Sequence, residues 1–96
     1  MSTDHRQAAQ AHVEALIALL ESHPDPNSLT HIVEECEALS RAIAAFHMEG
    51  IRFRIYNVDR LVRKQPGLPS QVETLVAETR RELEAAGFHT RSHSAP

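Results

Sequence analysis

Four aromatic residues, Phe46, Phe53, Tyr56 and Phe88, and no tryptophan leave this 96-residue chain little material for a β-sheet core. Three glycines, Gly50, Gly67 and Gly87, leave few places for the tight turns that join strands. Both shortages favour helices. A single cysteine, Cys36, excludes an intrachain disulfide, and no stretch has the charged start, apolar centre and small-residue cleavage site of a secretory leader, so a cytoplasmic location is expected. The longest purely apolar run, Ala15 to Leu20, is far short of the roughly 20 residues that span a bilayer, which excludes a membrane helix. Neither sign of charge dominates: the net is −3 with neutral histidines, giving no global positive field for nucleic acid and no polyacidic tail.

Several catalytic and metal signatures are missing as well. The chain has no Glu-x-x-His, His-Glu-x-x-His or Cys-x-x-Cys, so neither a di-iron carboxylate bundle, a zincin nor a zinc finger is written here. It has no Gly-x-Ser-x-Gly and no phosphate-cradling glycine loop. No enzyme and no cofactor are expected. What is present is a globular composition, 42% hydrophobic and 24% charged, arranged with helical periodicity.

Ala9, Val13, Leu16, Ile17 and Leu20 fall on one face at 100° per residue, predicting an amphipathic helix over about 4–22. Ser2, Thr3 or Asp4 can cap it, and His23-Pro24-Asp25-Pro26 ends it. Asp25 then reads as a cap with Pro26 at the first helical position. The next apolar positions are Leu29, Ile32, Val33, Cys36, Leu39, Ile43 and Phe46, and the row continues through Ile51, Ile55, Val58 and Val62. The alternation Ile51-Arg52-Phe53-Arg54-Ile55-Tyr56 imitates a strand, but no second strand-like run exists to pair with it. The pattern therefore predicts one helix over about 26–65, roughly 60 Å long at 1.5 Å per residue, continuous or else bent or broken at Gly50. Pro66-Gly67-Leu68-Pro69 stops it. Ser70 with Glu73 reads as a capping box for a helix over about 71–86, whose row is Val72, Val76, Thr79, Leu83 and Ala86. Gly87 suits a left-handed terminus, and 88–96 reads as a flexible polar tail after a single domain, 1–87.

The expected class is thus an all-α antiparallel helical bundle with a long central helix. Two half-length helices beside a 60 Å helix make a body too thin to enclose a core, so completion by a second copy is expected. Charge points the same way: 27–49 is acidic, with Glu34, Glu35, Glu37 and Glu49, while 51–65 is basic, with Arg52, Arg54, Arg60, Arg63 and Lys64. Antiparallel copies would set one half beside the other. The expected dimer interface is Cys36, Ile43, His47, Ile51 and Val58, with Glu34 near Arg60 of the second copy. His47 on this row reads as a satisfied core histidine; the alternative, with the twofold axis passing near it, is that its protonation would load the interface with like charge. A break at Gly50 would instead give a compact monomeric four-helix bundle.

Function is expected in association: a homodimeric adaptor, assembly factor or accessory subunit, with Arg52, Tyr56, Arg60 and Arg63 facing an unidentified protein partner. Two alternatives come from other classes. His31 and Glu35, one helical turn apart, are the candidate pair for a transition-metal sensor. The basic face from Arg52 to Lys64, with Tyr56 as a stacking ring, is the alternative for nucleic acid, which the net acidic chain disfavours. Cys36, between Glu35 and Glu37 on the apolar face, reads as a packing residue with little thiolate.

Overall fold

A computed structural model describes residues 4–88. Among them the secondary structure is helical, with no strand: α1 is His5–Glu21, a 3₁₀ turn spans Pro26–Leu29, and α2, α3 and α4 are Thr30–Ala44, Met48–Lys64 and Ser70–Ala85. The strand-like alternation at 51–56 lies wholly within α3. Positions 89–96 of the expected tail lie outside the described residues.

The start of α1 meets the end of α4 through His5 and Glu82, and Gln10 of α1 reaches Ser40 near the end of α2, so α1 runs antiparallel to both. The α2–α3 connector is only three residues, 45–47. These elements make a four-helix bundle in which α1 packs on α4 and α2, α2 packs on α3, and α3 touches α4 least. Its core joins the buried rows of all four helices: Ala9, Val13, Leu16 and Leu20, then Ile32, Cys36, Leu39 and Ile43, then Ile51, Ile55, Val58 and Val62, then Val72, Val76 and Leu83. Leu29 and Phe88 close the rows. The one buried hydroxyl among them, on Thr79, donates to the Leu75 carbonyl at 2.7 Å, which satisfies it without a partner from another helix.

The expected 60 Å central helix is not what the chain forms. It is interrupted at 45–47, three residues before Gly50, and among the described residues no principal axis exceeds 38 Å. The radius of gyration, 12.8 Å, matches the roughly 12 to 13 Å of a compact single chain of this length. The interruption is a Schellman terminus: the Phe46 amide donates to the Ile43 carbonyl, the His47 amide to that of Ala42, and Phe46 has φ 57°. Glycine is the usual residue at that position because a Cβ costs a left-handed residue about 1–2 kcal/mol. Phenylalanine bears that cost here, and it is the only described non-glycine residue with positive φ.

His47 then starts α3. Its backbone is extended and its Nδ1 accepts from the Gly50 amide at 3.1 Å, an N-cap made by an imidazole. Gly50 is needed for that approach, since a Cβ there would come within 2.5 Å of Nδ1. Three other local expectations change. Asp4 caps α1 as expected, through the Gln7 amide at 3.0 Å, but Ser70 is the first residue of α4 and makes no cap; Pro69 precedes it with no side-chain bond. The 3₁₀ turn takes the place of the first turn expected for the second helix, with Pro26 at its start. Phe88, expected in the tail, is buried: Gly87 (φ 98°) ends α4 and the Phe88 amide donates to Leu83.

Candidate functional site

The outward face of α3 carries the residues expected to meet a partner. Ile51, Ile55, Val58 and Val62 turn inward, so at 100° per residue Glu49, Arg52, Phe53, Tyr56, Arg60, Arg63 and Lys64 turn outward. Phe53 and Tyr56 are 50% and 39% exposed. Five basic and two acidic residues give α3 a net charge of +3 in a chain whose net charge is −3. The structure therefore brings Arg52, Tyr56, Arg60 and Arg63 onto one surface and adds Phe53, which the strand-like alternation had disguised. Arg80 joins from α4, a neighbour that local sequence spacing does not signal.

Tyr56, Asp59, Arg60, Arg63 and Arg80 line a shallow cleft of about 350 Å³ between α3 and α4. Asp59 holds its cations: one oxygen accepts from Arg63 Nε at 3.0 Å and the other lies 3.7 Å from Arg80 Nη2. That hydrogen bond, with the charge of Asp59, raises the Arg63 pKa further above its ordinary value, so the guanidinium is a fixed charge. Arg52 lies 3.5 Å from Glu49 one turn back. The Nε atoms of Arg52 and Arg80 are buried and make no hydrogen bond. The exposed guanidinium groups of Arg60 and Arg63, beside Phe53 and Tyr56, are the donors available to carboxylates and other anions.

At one end of the bundle the two Schellman termini bring Phe46 and Phe88 together, with ring centroids 6.4 Å apart. The Arg6 guanidinium lies 4.5 Å from the Phe46 centroid, and Phe46 remains 63% exposed. Local spacing does not signal this surface, which Asp4 and His5 also line, because Phe46 continues the apolar row in sequence and its outward turn follows from the left-handed backbone.

The expected dimer-interface residues divide. Cys36, Ile43, Ile51 and Val58 are fully buried within a single chain, and His47 is an exposed cap, not a member of the buried row. Two finished bundles cannot meet through the first four. The acidic-to-basic match expected between copies is made inside one chain instead: Glu35 of α2 accepts from Arg54 Nη1 at 3.0 and 3.1 Å and from Asn57 Nδ2 at 3.3 Å. This engagement also turns the Glu35 carboxylate toward α3, while His31 stays exposed. Among the described residues no group of three or more histidine, cysteine, aspartate or glutamate side chains is placed to hold a metal ion. Burial, followed by the charges of Glu35 and Glu37, pushes the Cys36 thiol up to about 12, which leaves it almost wholly protonated and unreactive at neutral pH.

Among the described residues no helix is long and apolar enough to cross a membrane. No family model, curated protein or solved structure matches the chain.

Proposed function

We propose that this is a non-enzymatic association protein, an adaptor or accessory subunit, whose α3 outer face docks an acidic protein partner. The observation that carries the reading is the pair of exposed rings, Phe53 and Tyr56, set among Arg52, Arg60 and Arg63 on one helix face. Aromatics supply apolar contact area at low entropic cost, and arginines supply planar donors for carboxylates; both are the residue types that dominate binding energy at protein interfaces. The same residues would serve nucleic acid, but two of the arginines already engage carboxylates of their own helix, Glu49 and Asp59, which favours a protein surface over a polyphosphate.

Self-association belongs to the same reading, although not through this face. A twofold contact places a patch against itself, so joining two α3 faces would oppose cation to cation. The test of the docking face is site-specific photo-crosslinking in the native cell, with a benzophenone amino acid at position 53. A discrete protein adduct that disappears when Arg60 and Arg63 become glutamate supports the reading. Adducts no different from those formed from position 14, an exposed site on α1, overturn it.

A further inference from the structure

We infer that a second copy of this chain is engaged by exchange of α3 and α4 through the hinge at 45–47, with α2 and α3 of each copy fused into one helix. The inference deepens the self-association part of the proposed function and is independent of the α3 docking face.

Three observations carry it. The hinge is closed by a left-handed phenylalanine, φ 57°, where glycine would fit without strain. The hinge residues Ala44, Ala45, Phe46, His47, Met48 and Glu49 include no proline, no glycine and no Ser, Thr, Asp or Asn cap, so all are compatible with an uninterrupted helix. A right-handed helix through Phe46 removes the strain and supplies intrahelical hydrogen bonds to the carbonyls that the Schellman turn now satisfies. Short hinges under strain are the setting in which identical elements are traded between copies.

The contacts across the hinge are also transferable. α1 with α2 forms one unit of the exchange and α3 with α4 the other. Every packing relation between the units, α2 on α3 and α1 on α4, is restored when each unit of one copy receives its complement from the other. The Glu35–Arg54–Asn57 cluster and the His5–Glu82 pair, both at 3.3 Å or less, pass from within one chain to between two without change of partner type. Cys36, Ile43, Ile51 and Val58 would then be buried between copies. The closed chain retains its own devices, the His47 cap on Gly50 and the contacts of the Phe46 ring with Phe88 and Arg6, so the two forms differ by a local choice at the hinge and by chain concentration.

The test uses two full-length variants, Glu35→Arg and Arg54→Glu. Each opposes like charges within itself. In an exchanged heterodimer the two substituted side chains, one from each variant, meet as an opposite-charge pair, and the unsubstituted Glu35 and Arg54 meet as the other, so both pairs are restored. The two chains are refolded together from denaturant at several hundred micromolar, and the species are weighed by native mass spectrometry. Heterodimers in clear excess over the statistical 1:2:1 distribution support exchange. Monomers alone, or dimers at the statistical ratio, overturn it. A second pair keeps the result independent of those charges: Phe46→Gly and Phe46→Ala lack the same ring, but glycine relaxes the closed hinge and weakens the helix. Since two hinges act in each dimer, Phe46→Gly should dimerise at least about a hundredfold more weakly than Phe46→Ala. Equal dimerisation of the two variants also overturns the inference. Neither outcome depends on the crosslinking result at position 53.

Discussion

Replacement of Phe46 by glycine and by alanine tests the architecture through the sign of one difference. Both changes remove the ring that lies 6.4 Å from Phe88 and under Arg6, a loss of roughly 1–2 kcal/mol for an exposed aromatic pair and cation–π contact together. They differ in backbone preference. At φ 57° alanine keeps a left-handed penalty of about 1–2 kcal/mol that glycine avoids, against which glycine loses about 0.4–1 kcal/mol of additional chain entropy on folding. The glycine variant should therefore be the more stable, by about 0.5–1 kcal/mol at the centre of these ranges. If the chain instead ran as one helix through position 46, alanine would win by about 1 kcal/mol. Thermal unfolding followed by helical circular dichroism, at a few micromolar chain to hold the monomer, resolves this. A domain of this size shifts by about 4–8 °C per kcal/mol, so the glycine variant should melt several degrees above the alanine one. An alanine variant that melts at or above the glycine variant would refute the left-handed hinge, and with it the four-helix reading.

Gly50→Ala should fail to give the roughly 1 kcal/mol gain that helix propensity promises, because its Cβ would meet His47 Nδ1 at 2.5 Å. The gain should reappear in a His47→Ala background, and urea titrations of the four proteins yield a coupling energy whose absence would count against the cap. Glu35→Gln should cost about 1 kcal/mol, a partly exposed ion pair between α2 and α3 being worth no more, and the cost should shrink at 1 M salt. Cys36 should react with a thiol reagent at neutral pH only as fast as the bundle opens, so its labelling rate should rise steeply with urea; prompt labelling in the native state would contradict its burial. Its thiol is raised in the folded chain to about 12 from 9.0, which keeps the native state protonated where the unfolded chain ionises. The associated stability is fully present below pH 9 and is lost as pH rises toward 12, by up to about 1.4 kcal/mol per unit. Cys36→Ala should lack that alkaline slope when its urea midpoints are compared with those of the parent.

How much of this could be read beforehand follows from which forces act locally. The rows Ala9-Val13-Leu16-Leu20 and Ile51-Ile55-Val58-Val62 are dictated by 3.6-residue periodicity, and both are buried as their spacing requires. Asp4 and Gly87 act at helix ends as their chemistry demands. The interruption at 45–47 was hidden because its two residues break preference rules: a phenylalanine stands at the left-handed position and a histidine at the cap, while the nearby glycine serves the cap and not the turn. Periodicity accordingly puts Phe46 and His47 on a buried row that in the structure ends at Ile43. The convergence of Arg80 with Tyr56, Arg60 and Arg63 needs the packing of α4 on α3, which no local pattern encodes.

The charge pattern of 27–65 shows why fold and assembly were hard to separate. An acidic half and a basic half attract in the antiparallel sense whether they belong to one chain folded at a hinge or to two chains laid side by side, since the pair energy depends on distance and surroundings and not on connectivity. Glu35 with Arg54 satisfies that attraction inside the chain, and the same apolar positions, Cys36 and Val58 among them, fill either core. Connectivity is decided elsewhere, at the hinge residues whose backbone would differ between the two arrangements, the left-handed Phe46 and the extended His47. Left-handed Phe46 and extended His47 turn the chain back on itself, whereas in the proposed exchange both would be helical, so the conformational energy of these two residues, set against chain concentration, would govern which copy's Arg54 Glu35 meets.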